Sequence, residues 1–161
     1  NLVGTFGDAY VARINKDTGN KVWVKNTGSI NIQGGCGATG LAFNSSKSSV
    51  IIAGQFQNKI NFGPPGEDMC AIQTTNLIDS FLAKFDLATG AYQAQKYFHG
   101  NYKALANSLV IDSSNNVYLS GTFLGTIYTP NTATDCGYGE QYTELLRGIN
   151  SYDIFGIKTT L

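Results

Sequence analysis

Apolar residues in this chain come in short runs, and polar turn residues separate them. Residues 2–6, 9–15, 21–25, 38–44, 50–56, 80–86, 91–98, 104–112, 117–123 and 152–159 are such runs. Each is rich in β-branched or aromatic residues and bounded by Gly, Asn, Asp or Ser, so each reads as a β-strand. Helical spacing occurs at 141–149, where Tyr142, Leu145, Leu146 and Ile149 recur three and four apart. That segment predicts a turn or two of helix. Leu41-Ala42-Phe43 and Leu109-Val110-Ile111 are apolar at consecutive positions. This predicts strands buried from both faces.

The runs repeat. Asp8-Ala9-Tyr10-Val11-Ala12-Arg13-Ile14 returns as Asp79-Ser80-Phe81-Leu82-Ala83-Lys84-Phe85 and as Asp153-Ile154-Phe155-Gly156-Ile157-Lys158. A second phrase interleaves with it: Val3-Gly4-Thr5-Phe6, Ala53-Gly54-Gln55-Phe56 and Ser120-Gly121-Thr122-Phe123. The interval from turn glycine Gly19 to Gly90 equals that from Asp8 to Asp79. A hairpin therefore repeats there without insertion, its glycine free to take positive φ. Segments 44–49 and 112–116 form the turns of a second repeated hairpin. A repeat of this kind marks a structural unit that does not bury its apolar face alone.

Together the phrases give a unit of four antiparallel strands, A to D. In the last unit, A is 104–112 and B is 117–123, and the Asp-led phrase is C. D follows the glycine turn. A four-stranded sheet packed between two neighbours is a propeller blade, with A lining the central channel and D at the outer edge.

At this level the chain resembles the SBBP-type β-propeller repeats. The resemblance rests on Asp79–Lys84, on Leu109–Ser114 with Asn116–Gly121, and on Asn61-Phe62-Gly63. The usual glycine of the A–B turn is replaced by Asn115 in one unit and Ser48 in another. The resemblance implies a propeller of several blades with no fixed catalytic residues.

The expected fold is thus all-β: one β-propeller segment, residues 1–161, with blades at about 1–27 (partial), 37–98 and 104–161 (partial). These strands make two and a half to three blades, whereas a closed ring needs about four. The expectation is an incomplete ring, completed by other protein chains or by remaining blades of the same polypeptide. Gly7 alone joins Phe6 to Asp8, where the sister units carry the long inserts 57–78 and 124–151. It reads either as a tight turn or as the site of a missing loop.

Strand alternation sorts the connections. The A–B and C–D turns fall on one face of the disc. The inserts 57–78 and 124–151 fall on the other, with Cys36, Cys70 and Cys136.

Composition narrows the class. Charged residues are only 14% of the chain, against about 25% in typical domains, and eleven acidic residues balance eleven basic ones. No basic run marks a nucleic-acid binder, and no apolar stretch reaches the ~20 residues of a spanning helix. The expectation is no nucleic-acid partner and no membrane insertion. Low charge, polar loops and short strands suggest an extracellular or cell-surface protein. In that setting Cys36, Cys70 and Cys136 are disulfide candidates, with Cys36–Cys70 the first choice of pair. Ordinary thiols are the alternative. Asn44-Ser45-Ser46 is a glycosylation sequon, and Asn44 is equally well read as a turn former.

No constellation nominates a reaction, and the expectation is no catalytic, cofactor-binding or metal-binding residues and no cofactor. His99 is the sole histidine and reads as a surface-loop residue. Its spacing from the cysteines is too wide for a zinc site. Segments 112–116 and 15–20 lack the alternating carboxylates that calcium favours. Glu67, Asp68, Asp135 and Glu140 do not form a defined glycosidase pair. Tyr102, Tyr128, Tyr138 and Tyr142 gather on the insert-bearing side, either contacting partners or covering blade edges.

The leading expectation is a non-enzymatic extracellular scaffold, adhesion or structural-assembly module that presents this face to protein or carbohydrate. The alternative is a propeller-fold carbohydrate-active enzyme with its site at the channel mouth.

Overall fold

The computed structural model describes residues 8–29, 35–62, 72–130 and 142–161. The expected strand 2–6 and the Gly7 junction lie outside them. The described residues form nine strands and no helix: β1 (Ala9–Ile14), β2 (Lys21–Ser29), β3 (Cys36–Phe43), β4 (Ser49–Asn61), β5 (Ile72–Asp86), β6 (Tyr92–Gly100), β7 (Lys103–Ile111), β8 (Val117–Pro130) and β9 (Tyr142–Thr159). The protein is all-β.

Pairing is densest within three antiparallel groups. Sheet one is β1–β2, sheet two runs β3–β4–β5–β6, and sheet three runs β7–β8–β9. The groups are stitched by short bridges at equivalent places. Gly28 and Ser29 at the end of β2 pair with Asn61 and Ile60. His99 and Gly100 at the end of β6 pair with Tyr128 and Ile127. With the parallel contact Ile78↔Lys103, strands β5, β6, β8 and β7 close into a four-stranded ring. The other strands extend from it.

The turns repeat bond for bond. In one, Gly19 N donates to Asn15 O, and Asn15 N donates to Asn20 O; in the other, Gly90 pairs with Asp86 and Asp86 with Ala91 in the same way. Gly19 and Gly90 take φ of 70° and 72°. The side-chain oxygen of the leading residue, Asn15 or Asp86, also accepts a turn amide. In the A–B turns the left-handed residues are Asn115 and Lys47. Lys47, not Ser48, therefore occupies the glycine position, because this turn has one residue more before its second strand.

The core has two parts. Val11 and Trp23 of sheet one pack on Val50, Ile52, Phe56, Phe81 and Phe85 of sheet two. The opposite face of sheet two, with Ile51, Ala53, Leu82 and Phe98, packs on Val117, Leu119, Phe123 and Phe155 of sheet three. Alternate residues of β4 thus enter different cores, as the two-residue period of a strand requires.

Three expectations need correction. The strands buried from both faces are β4 and β5, not the A strand: Leu41 and Phe43 in β3 are 51% and 48% exposed. Among the described residues β3 forms its ladder with β4 and lies at an edge, while β4 sits between β3 and β5. The expected helical segment is strand. Leu146, Glu144 and Thr143 pair with Ile127, Tyr128 and Thr129 of β8. Leu145 and Leu146 stay partly exposed. Finally, the inserts are largely strand. β4 and β5 remain paired out to Ile60↔Ile72, and β8 and β9 out to Pro130↔Tyr142.

Candidate functional site

A surface cleft of about 520 Å³ opens where the β6–β7 turn meets the extended arms of β8 and β9. Its walls are Asn101 and Tyr102 from the turn, Leu124, Gly125, Thr126 and Tyr128 from β8, and Arg147 and Gly148 from β9.

A break in the β8–β9 ladder shapes it. Pairing shifts register between Leu124 and Thr126, and Gly125 between them has φ of +85°. A bulge of this kind bends a strand and re-aims its neighbours. Only glycine fits here, because a Cβ would strike the Asn101 Oδ1 atom and lie 2.7 Å from the Tyr102 ring. Asn101 fills the gap by acting as a strand residue. Its Oδ1 accepts the Thr126 amide at 2.6 Å, and its own amide donates to the Thr126 carbonyl at 3.1 Å.

Charge at the rim is self-neutralised. Arg147 donates to Glu144 through Nε at 3.2 Å and Nη2 at 2.9 Å. The Arg147 bond holds the Glu144 carboxyl below its usual range, and Glu144 in turn raises Arg147. Tyr102 is 57% exposed. The cleft therefore offers phenol rings, a planar amide and a neutral ion pair. Such walls suit a neutral polar ligand with one apolar face.

An Asp–His pair lies next to Tyr128 of the cleft wall. Asp79 is fully buried, and its Oδ1 accepts the Gly100 amide at 2.9 Å. Its Oδ2 lies 2.8 Å from His99 Nδ1. The His99 ring sits 6.2 Å from that of Tyr128, which reaches the cleft. The hydrogen bond that His99 donates to Asp79 raises the His99 pKa above its ordinary 6.5, although burial opposes it. Asp79 thereby ties β5 to the end of β6. His99 is not the loop residue expected: it is half-buried near the end of β6.

The remaining candidates divide. Tyr102 and Tyr128 come together, as expected of that face. Tyr138, Glu67, Asp68, Asp135 and Glu140, and the side chain of Tyr142, lie outside the described residues. So do Cys70 and Cys136, and with them the proposed pairings. Cys36 Sγ accepts the Ala9 amide at 3.1 Å and packs on the first core.

Asn44 is engaged in its own turn. Its Oδ1 accepts the amides of Ser48 and Ser49, and its Nδ2 donates to Ser46 and Ser48 hydroxyls. Asp112 behaves alike, accepting from Ser114 and Asn116 amides, Asn116 Nδ2 and the Tyr118 hydroxyl. Those bonds, Asn116 foremost, hold its pKa below the usual carboxylate value. Both are turn formers in this structure.

Sequence reasoning missed Asn101, Gly125, Arg147 and the Asp79–His99 contact. The one available signal was the recurrence of the leading Asp. No family model matches the chain, and no curated protein matches it.

Proposed function

We propose that the chain is a segment of a β-propeller of SBBP-type repeats, working outside the cell as a non-enzymatic scaffold or adhesion module. Its blades correspond to the three antiparallel groups, and the face bearing the cleft meets the partner. Support for the architecture comes from sheet two, an A–B–C–D antiparallel meander covered on both faces by its neighbours.

The observation that carries the binding role is the cleft itself. Its exposed tyrosine, its amide and its neutral rim suit the hydroxyl groups and apolar ring face of a carbohydrate, more than a charged substrate. Titration of isotope-labelled protein with neutral and acidic oligosaccharides tests this. Shifts should concentrate at Asn101, Tyr102 and Tyr128 and vanish in Tyr102→Ala. Shifts centred elsewhere, or none across the panel, would contradict it.

A second reading, a carbohydrate-active enzyme, has one observation in its favour: a buried Asp orienting a His next to Tyr128 of the cleft wall. It requires glycan cleavage that disappears in His99→Gln.

A further inference from the structure

The cleft side chains of fixed polarity are donors. Asn101 meets the Thr126 amide at 2.6 Å through its side chain. A backbone N–H only donates, so the atom facing it must be Oδ1, and the NH2 group is turned the other way. The backbone bond from Asn101 N to Thr126 O holds that orientation. Asn101 lines the cleft, and its Nδ2 makes no hydrogen bond among the described residues. Arg147 is the other fixed donor. Its Nε and Nη2 are taken by Glu144, and Nη1 makes no hydrogen bond among the described residues.

Beside these donors lie a hydroxyl and an apolar wall. Thr126 is buried and lines the cleft, and its hydroxyl has no partner among the described residues. A hydroxyl rotates to donate or accept as its partner requires. Leu124 and the Tyr102 ring supply apolar surface. A matching ligand brings a pure acceptor next to a small apolar group. A sugar hydroxyl is donor and acceptor at once, so it gains little from a fixed donor that any water also satisfies. A carboxylate would accept, but Glu144 already neutralises Arg147 and would repel it. An acetamido group has the required pattern. Its carbonyl oxygen only accepts, its methyl is apolar, and its N–H can donate to a hydroxyl.

We infer that the cleft takes an N-acetylated amino sugar. The acetamido carbonyl accepts from Asn101 Nδ2, its N–H donates to the Thr126 hydroxyl, and its methyl lies on the wall of Leu124 and Tyr102. Asn101 is then the residue that sets specificity, and the Gly125 bulge is what lets it reach Thr126. The inference rests on the carbohydrate reading above and narrows it to one class of neutral sugar.

Titration with the β-1,4-linked trimers of N-acetylglucosamine and of glucose tests it. The two differ at one ring carbon of each unit, which bears an acetamido group in the first and a hydroxyl in the second. The acetylated trimer should bind about tenfold more tightly, as one hydrogen bond and one buried methyl supply. Asn101→Asp keeps an oxygen for the Thr126 amide and replaces the NH2 group with an acceptor. It should abolish the preference while the Thr126 amide resonance stays in place. The comparison of the two trimers on the unsubstituted chain stands even if that variant does not fold. Equal affinity for the two trimers, or a preference that survives Asn101→Asp, would overturn the inference and leave the carbohydrate reading standing. Binding of neither trimer would overturn it too, and silence across the wider oligosaccharide panel would end the carbohydrate reading with it.

Discussion

Gly54 stands directly opposite Phe81 across β4 and β5, and the phenylalanine ring occupies the space a side chain at Gly54 would need. Gly121 and Phe155 repeat this across β8 and β9. Around each pair an edge-to-face aromatic contact recurs: Phe56–Phe81 and Phe123–Phe155 both have centroids 6.3 Å apart and planes at 62°. The two repeated phrases of the sequence are therefore the two sides of one interlock. The B-strand glycine is the socket for the C-strand aromatic.

Alanine at either socket should be costly. A Cβ at Gly54 would meet the Gly37 carbonyl and lie 2.6 Å from the Phe81 ring; at Gly121 it would meet the Leu105 carbonyl and lie 2.7 Å from the Phe155 ring. Each substitution should destabilise by at least about 1–3 kcal/mol, the range for overpacking. Gly37→Ala and Gly156→Ala, with open space around them, should change stability far less. Urea denaturation of the four variants compares them directly.

Removing the rings should be worse. Phe81 and Phe155 are almost fully buried, so truncation to alanine should cost roughly 3–5 kcal/mol each. Ile154→Ala, beside Phe155 but on the exposed side of the sheet, should fall within about 0.5 kcal/mol of wild type. Thermal melts of the three proteins separate these outcomes.

Lys47 and Asn115 hold left-handed backbone at φ of 52° and 64°. Lysine gains nothing there, and the conformation costs a non-glycine residue about 1–2 kcal/mol. Lys47→Gly should stabilise by about 0.5 kcal/mol after the extra glycine entropy is subtracted. Asn115 tolerates the region, and its Oδ1 accepts the Ser45 amide at 2.8 Å, joining the two A–B turns. Asn115→Gly should bring no gain. Paired melting curves check the contrast.

The Asp79–His99 bond makes stability depend on pH. His99 has a raised pKa in the folded protein. Its contribution is therefore complete below the unfolded value of about 6.5 and is lost as pH rises through the higher folded value. Wild type should lose stability relative to His99→Gln as pH rises from about 6 into the alkaline range. Denaturation midpoints over that interval read it out. A constant difference between the two proteins would show that the bond does not discriminate protonation states.

Much of the fold was legible because strand signals are local. Alternation, turn glycines and the recurring Asp and Gly phrases yielded the hairpins and their order. Two readings failed for a common reason: burial and partners are set by distant residues. Leu41 and Phe43 look like core residues, yet β3 is an edge. The stripe Tyr142, Leu145, Leu146, Ile149 looks helical, yet β8 supplies a ladder that captures it. The cleft was legible only in part. Tyr102 and Tyr128 fell on the expected side, but Arg147 is remote from Asn101 in the chain and joins it only once the β8–β9 arm forms. Likewise Asp79 and His99 lie on different strands, and only the β5–β6 pairing brings them into contact.

The central claim is that one interlocked unit is built twice in the same register. Backbone proton Overhauser effects in solution test this most directly. The account predicts cross-strand contacts between Gly54 and Phe81 and, with the same pattern, between Gly121 and Phe155. Absence of either pair, or a one-residue displacement of one relative to the other, would contradict it.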